Sequence, residues 1–131
     1  MNDESRKQIV EFRIENARNT LKEVVILTQN ELWNTAINRL YYACYYAASA
    51  LLVANQIETH THAGVRQMLA LHFVKSGKLS KQFFNTFGSL FEKRQTGDYE
   101  DFVFMTKEIV EDFYPQALEF VEEVTMLIYN N

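Results

Sequence analysis

The sequence predicts an all-α fold, an antiparallel up-and-down bundle of four main helices plus one shorter helix. Only four Gly and one Pro occur in 131 residues, whereas strand-rich folds need many turns. Apolar residues recur at alternating spacings of three and four, which is the period of a helix packed on one face. Hydrophobic residues make up 47% of the chain, enough for a core, and the length predicts a single domain over residues 1–131.

The first two helices follow from this spacing. The first is predicted from about Glu4 to Thr28, because its apolar positions step by four and three throughout. Asn30 is predicted to be the N-cap of the second helix, which runs from about Glu31 to Gln56. A strip of small residues along that helix predicts close approach of a neighbour: Ala43, Ala47, Ala50 and Ala54.

Residues 57–61 are predicted to be a loop before a shorter third helix, from about His62 to Ser76. Gly77 is a natural stop, because glycine takes the left-handed cap conformation at little cost. Ser80 is the predicted N-cap of the fourth helix, which should end near Gly97.

Residues 98–105 are predicted to be a connector. The last helix is predicted from about Thr106 to Tyr129, and its apolar stripe has helical spacing. Pro115 lies inside it and is expected to kink or divide the helix, because proline lacks a backbone donor.

The chain is expected to be cytoplasmic and without a membrane segment. Its single cysteine, Cys44, cannot form an internal disulfide, which is typical of a reducing compartment. The N-terminus lacks the basic and apolar stretches of a signal peptide. The longest apolar run, residues 41–54, is shorter than the roughly 20 residues that cross a bilayer.

No complete catalytic set, metal site or cofactor motif is predicted. His60 and His62 are two residues apart, but no carboxylate or cysteine follows at the spacing of a metal site. Cys44 falls on the apolar face of the second helix, where a thiol behaves as a small hydrophobe. No nucleophile elbow, phosphate-binding loop or dinucleotide glycine motif occurs.

Charge is divided unevenly along the chain. Residues 60–94 carry six Lys or Arg against one carboxylate, whereas residues 98–123 carry nine carboxylates against one Lys. The basic stretch is suited to phosphate groups. Alternatively, neighbouring helices of the bundle complement each other's charge.

A tyrosine-lined stripe with an arginine lies off the predicted core face of the second helix. Arg39, Tyr42 and Tyr46 share one line, and Asn38, Tyr41 and Tyr45 share another. Tyrosine is amphipathic and suits interfaces, and arginine binds phosphate through several donors. An equally open interpretation is that the tyrosines cover the ends of the core while Arg39 pairs with a carboxylate.

A second polar cluster ends the fourth helix, in the run Lys-Arg-Gln-Thr-Gly-Asp-Tyr over residues 93–99. The two cations satisfy the helix dipole in an ordinary way. Arg94, Asp98 and Tyr99 also form a compact set of side chains that can bind a polar ligand.

Together these segments resemble the HEPN domain (higher eukaryotes and prokaryotes nucleotide-binding). The resemblance rests on Asn-Arg-Leu-Tyr-Tyr-Ala-Cys-Tyr-Tyr-Ala at residues 38–47, Thr-His-Ala-Gly-Val at 61–65, and Arg94 followed by Asp98 and Tyr99. It implies a helical bundle that is usually a homodimer. It also implies a link to minimal nucleotidyltransferases, often in a toxin–antitoxin or related two-component pair.

Many HEPN proteins are metal-independent ribonucleases in which four to six residues separate an arginine from a histidine, and this chain departs from that pattern. The positions where the histidine would fall are Tyr99, Glu100 and Asp101, and no histidine follows His72. Tyrosine is a poor proton shuttle near neutrality, because its unperturbed pKa is about 10.

Three functions remain open from the sequence. The favoured one is a non-catalytic module that dimerises through the second and fourth helices and binds a nucleotide, RNA or a nucleotidyltransferase partner. Arg39 and Arg94 would contact phosphates or partner acids, Asp98 would orient an arginine, and aromatic rings would stack: Tyr42, Tyr46 and Tyr99. The alternatives are a ribonuclease with a degenerate site, in which Tyr99 or Asp98 moves protons, and a structural assembly helper without a ligand.

Overall fold

The computed structural model describes residues 1–100 and 103–130, and every regular element within those ranges is helical. The bundle consists of α1 (Asp3–Gln29), α2 (Trp33–Ala54), α3 (His62–Leu69), α4 (Lys81–Tyr99) and α5 (Lys107–Tyr129). A π-helical turn, Ala70–Val74, continues the short α3. The predicted all-α bundle of four main helices and one shorter helix is therefore confirmed.

Helix α2 is the centre of the bundle and packs against α1, α3, α4 and α5. Residues 30–32 connect α1 to α2, and so short a link makes the two helices antiparallel neighbours. The predicted strip of small residues allows this close packing, because Ala43, Ala47 and Ala50 are fully buried.

Stacked aromatic rings join three of these helices. The Tyr41 ring of α2 lies 5.7 Å from Phe87 of α4, and Phe87 lies 5.5 Å from Phe120 of α5, measured between ring centroids. Tyr41 is fully buried, so placing it on a stripe off the core was wrong. That interpretation assumed one buried face, whereas α2 is surrounded by other helices.

Asn30 does not cap the second helix, and this prediction was also wrong. It ends α1, where its side-chain amide donates to the carbonyl oxygen of Ile26 at 2.9 Å. Glu31 then turns the chain with a φ of 57°, and α2 begins at Trp33 without a side-chain cap. An asparagine between two helices can accept from the free amides of the second helix or donate to the free carbonyls of the first, and here it donates to α1.

The third helix and its boundaries agree with the sequence pattern. Thr61 caps α3 by accepting from the Gly64 backbone amide at 2.9 Å, which makes His62 the first helical residue. Gly77 has the positive φ of 80° expected of a stop. Ser80 caps α4, as predicted, by accepting from the Phe83 amide at 3.4 Å.

Helix α4 continues past the predicted end near Gly97 and reaches Tyr99, so Asp98 and Tyr99 belong to its last turn. Asn34 of α2 holds this end. Its amide nitrogen donates to the carbonyls of Gly97 and Val103, at 3.4 and 3.2 Å, and its oxygen accepts from the Met105 amide at 2.6 Å. Of the predicted connector over 98–105, residues 101 and 102 lie outside the described residues.

Pro115 does not divide the last helix, contrary to the stronger form of the prediction. Helix α5 runs unbroken from Lys107 to Tyr129, and Thr106 caps it by accepting from the Ile109 amide at 3.2 Å. Pro115 and Glu111 are both exposed. Water can therefore bond the carbonyl that the proline leaves without a donor.

Within residues 1–100 and 103–130, none of the helices combines the length and apolar character that a bilayer-spanning segment requires.

The aromatic stack predicts a sharp contrast between two phenylalanines. Replacing the fully buried Phe120 by alanine leaves a cavity and should lower the free energy of unfolding by about 3–5 kcal/mol. Phe12 is 64% exposed, so Phe12→Ala should change it by less than about 0.5 kcal/mol. Urea unfolding of both variants measures the difference, and equal losses would contradict this account of the core.

Candidate functional site

The site is built around Arg94, a cation held in a cluster of aromatic rings where α4 faces α2. Arg94 is 8% exposed. Its guanidinium carbon lies 5.0 Å from the ring centroid of Tyr41, 5.7 Å from that of Tyr42 and 5.6 Å from that of Phe91. The negative faces of aromatic rings attract a cation at such distances. Arginine keeps its charge at any pH at which proteins fold, so the site carries a permanent positive charge.

The hydrogen-bonding capacity of Arg94 is only partly used. The nearest carboxylate among the described residues is that of Asp98, whose Oδ2 lies 3.8 Å from Nη1, too far for a good hydrogen bond. The Nε atom is buried and has no hydrogen-bond partner within residues 1–100 and 103–130. A buried donor without a partner is costly, so the hydrogen-bonding needs of this guanidinium are not met by the described residues of one chain.

Asp98 is held in place from the opposite helix. The Asn38 amide of α2 donates to Asp98 Oδ2 at 2.8 Å, and this is the same oxygen that faces Arg94. The carboxylate therefore lies on one side of the guanidinium and is fixed there by α2.

His62 enters the same cluster from the start of α3. Its ring stacks on Tyr45 at 4.3 Å between centroids and lies 5.7 Å from Tyr41 and 5.9 Å from Tyr42. Its Nδ1 atom is 2.7 Å from the Tyr41 hydroxyl oxygen. Because that bond occupies Nδ1, Nε2 is the ring nitrogen left for a ligand.

Burial sets the protonation of this pair. Desolvation raises the pKa of Tyr41 well above its usual range, so its hydroxyl stays protonated. Desolvation and, to a smaller degree, the charge of Arg94 lower the pKa of His62 below 6.5. The imidazole is therefore mainly neutral near pH 7.

Arg39 lies near the same Tyr42 ring as Arg94. Its guanidinium carbon lies 5.6 Å from the centroid of Tyr42. Its Nε is 3.2 Å from a carboxylate oxygen of Glu23, so the alternative in which Arg39 pairs with an acid holds. Tyr42 and Tyr46 are half-buried, with their ring centroids 6.0 Å apart.

Tyr99 is placed differently from the other predicted site residues. It lies in the last turn of α4 and is 75% exposed. No ring contact or hydrogen bond in the described part of the chain joins it to Arg94. The structure thus brings together Arg39, Tyr42, Tyr46, Arg94 and Asp98, and leaves Tyr99 at the edge.

Four contributors to the site were not predicted: Asn38, Tyr41, Tyr45 and His62. The first three lie on the second stripe of α2, which the helical period identifies without showing what it faces. His62 belongs to the Thr-His-Ala-Gly-Val segment at residues 61–65. Nothing local in that segment signals that the start of α3 meets the end of α4.

His60 and Cys44 lie apart from the Arg94 cluster. His60 is exposed and lines a cavity with Arg6 and Arg13, whereas His62 lines another cavity, so the two side chains diverge. Burial raises the pKa of the Cys44 thiol, which is fully enclosed in the core. The interpretation of Cys44 as a small hydrophobe is confirmed.

Comparison with known proteins places this arrangement in a family. The HEPN domain matches residues 10–127. A UPF0332 protein of Thermotoga maritima is 36% identical over 94% of this chain and 93% of its own length. Two proteins of Methanocaldococcus jannaschii, each named "putative toxin", are similar as well. One is 32% identical over 80% of this chain and 71% of its own length, and the other 31% identical over 95% and 91%.

The match covers all five helices, including the α2 and α4 segments that build the Arg94 cluster. On the strength of this coverage and of the fold, the chain belongs to the HEPN domain family.

Proposed function

We propose that this chain is the toxin-type member of a two-component toxin–antitoxin system, and that its Arg94 cluster binds the phosphate of a nucleotide or of RNA. One observation carries the binding proposal: a permanently charged guanidinium, 8% exposed, whose buried Nε has no partner in the described residues. The toxin-type role is supported by the names of the two Methanocaldococcus jannaschii relatives, which describe them as candidate toxins.

A phosphate group is a suitable ligand for the hydrogen-bond donors and the charge of this cluster. Guanidinium groups donate two parallel hydrogen bonds to phosphate oxygens, and such charge-assisted bonds are the stronger kind. Asp98 keeps the guanidinium oriented while the site is free. The half-buried rings of Tyr42 and Tyr46 offer faces on which a base can stack.

Binding of a fluorescently labelled mononucleotide tests this proposal. Arg94→Ala should weaken binding at least about tenfold, since a hydrogen bond to a charged group contributes roughly 1.5–3 kcal/mol. Arg94→Lys should recover only part of the affinity, because an ammonium group lacks the paired donors of arginine.

Lys93→Ala is the matched control, because it removes the same charge one residue earlier. Lys93 lies over Phe113, in contact with α5 rather than α2. Its loss should leave nucleotide affinity within about twofold, because its ammonium group lies over an α5 ring, outside the Arg94 cluster. Equal weakening by both variants would mean that general charge, and not the Arg94 cluster, attracts the ligand.

The position of His62 favours a second candidate function, a metal-independent ribonuclease. In this reaction a base takes the proton of a 2′-hydroxyl, whose oxygen attacks the phosphorus atom while the bond to the 5′-oxygen breaks. The proton then passes to that leaving oxygen. Neutral His62 can exchange the proton through Nε2, and Arg94 can stabilise the charge on the phosphoryl oxygens. This histidine comes from α3 instead of following the arginine in sequence.

Cleavage of a short single-stranded RNA tests the second candidate. Wild type should cleave it, whereas Arg94→Ala and His62→Gln should each reduce the rate by about 10²-fold or more, the usual contribution of a positioned proton carrier. His60→Gln should retain the rate, because His60 faces another cavity. Equal background in all four proteins would reject the nuclease and leave the binding proposal standing.

The same rate has a defined pH dependence. The pKa of His62 is lowered, so its neutral, base-competent form persists below pH 6.5. The rate should therefore be present above that pKa and fall as the pH drops through it, with a midpoint below 6.5.

The proposed assembly is a homodimer formed through α2 and α4, with a nucleotidyltransferase as the partner. Tyr42 and Tyr46 are only half-buried in one chain, and a second copy could cover their rings. A lone buried cysteine suits the reducing cytoplasm, where we place the protein.

Sedimentation velocity tests the dimer. The wild type should sediment as a dimer, and Tyr46→Glu should shift it towards monomer, because a carboxylate is costly to bury in an interface. Tyr129→Glu, a matched change at an exposed tyrosine that ends α5, should leave the dimer intact. A wild type that is strictly monomeric would rule the assembly out.

A further inference from the structure

A cavity of about 350 Å³ lies between α3 and α4, directly beside the Arg94 cluster. Its walls include His62, Arg66, Phe84 and Phe91. The volume is within the range of small-ligand sites, which is roughly 300–1,000 Å³. Among the described residues that line it there is no carboxylate, so nothing in the lining repels an anion.

Arg66 is a second arginine held against aromatic rings. Its guanidinium carbon lies 5.9 Å from the ring centroids of both Phe84 and Phe91. None of the ion pairs found within residues 1–100 and 103–130 involves Arg66. Its charge therefore remains available to a ligand in the cavity.

The chain makes room for this guanidinium at Gly88. A Cβ atom added at that position would lie 2.5 Å from Nη2 of Arg66, closer than side chains tolerate. Glycine inside a helix is unfavourable by about 0.5–1 kcal/mol relative to alanine, and α4 accepts that cost at a buried position. A methyl group at residue 88 would displace the guanidinium, which is the far end of a flexible side chain, from this position on α4.

The cavity and the Arg94 cluster share two residues. The Phe91 ring has the Arg94 guanidinium at 5.6 Å and the Arg66 guanidinium at 5.9 Å, so one ring supports both cations. His62 lines the cavity and also stacks within the tyrosines around Arg94. The two sites therefore form one continuous surface along α4.

We propose that the cavity at Arg66 is a second subsite, which takes the neighbouring nucleotide unit of a single-stranded nucleic acid whose phosphate is held at Arg94. This inference rests on the proposed function and makes the ligand an oligonucleotide instead of a mononucleotide. Arg66 contacts the second phosphate, and the walls formed by Phe84 and Phe91 receive the sugar and base. Two cations spaced along aromatic rings are the arrangement by which proteins follow a single strand. The excess of six cations over one carboxylate in residues 60–94 has the matching sign.

The test compares two labelled ligands, a mononucleotide and a short single-stranded RNA, by fluorescence anisotropy. Arg66→Ala should weaken RNA binding about tenfold or more, the loss expected of one charge-assisted contact, and leave mononucleotide binding unchanged. The salt dependence of log affinity for RNA should fall in slope by about one, as for one lost phosphate contact.

Two further variants separate position from charge. Gly88→Ala retains Arg66 but displaces its guanidinium, so it should weaken RNA binding in the same direction as Arg66→Ala. Lys75→Ala removes one exposed cation outside the cavity and should change RNA binding less than twofold. Circular dichroism melting of each variant establishes that it is folded.

The outcomes distinguish the second subsite at Arg66 from the proposed phosphate binding at Arg94. Unchanged RNA binding in Arg66→Ala, or an equal loss for the mononucleotide, overturns the second subsite while Arg94 binding stands. An effect of Arg66→Ala seen only with an acidic protein partner overturns it as well. Failure of the wild type to bind either ligand removes both proposals.

Discussion

The charge of Arg94 among aromatic rings is the constraint on which the arrangement of this end of the bundle depends. A cation removed from water is stable only where other groups replace its hydration. Here the replacement is provided by ring faces from α2 and α4 and by one carboxylate at 3.8 Å. These groups surround the guanidinium without satisfying all of its hydrogen-bond donors, as the buried Nε shows. Tyr41 contributes twice, because the same buried ring packs on Phe87 in the core and faces Arg94.

The ionisation states around this cation are fixed by the same burial. Tyr41 keeps its proton and His62 is mainly neutral near pH 7, so neither adds charge to the cluster. Among the described residues, the positive charge at these rings comes from Arg39, Arg66 and Arg94, and an arginine keeps its charge across the neutral range. A ligand with phosphate groups meets the same attraction throughout that range, while proton transfer by His62 would remain sensitive to acid.

The sequence predicted the helices well, because each outer helix buries a single stripe and the stripe has the helical period. It failed where one residue could serve two purposes. Asn30 could cap the end of α1 or the start of α2, and only the packed structure decides between the two. Helix α2 contacts four other helices, so reasoning from one buried face misplaced Tyr41.

The sequence singled out five of the residues that lie together on α2 and α4: Arg39, Tyr42, Tyr46, Arg94 and Asp98. It did not single out the other α2 contributors or any residue from α3. Arg94 and Asp98 are four residues apart on one helix, and Asn38, opposite Asp98, lies on a periodic stripe of α2. His62 and Arg66 reach these rings only through the packing of α3 in the folded bundle, which no local pattern encodes. Gly88 could be found in the sequence as a glycine inside a helix, but its purpose appears only beside Arg66.

Asn34 ties the end of α4 and the segment after it to the start of α2. Its side-chain amide, near the start of α2, forms hydrogen bonds with the backbone of residues 97, 103 and 105, which are 63 to 71 positions away along the chain. The last turn of α4, which carries Asp98, is thereby fastened to the same helix that supplies Asn38 and the tyrosines. Asn34 and Asn38 thus attach the last turn of α4 to α2 at two points, so the position of Asp98 relative to the tyrosines of α2 depends on both asparagines.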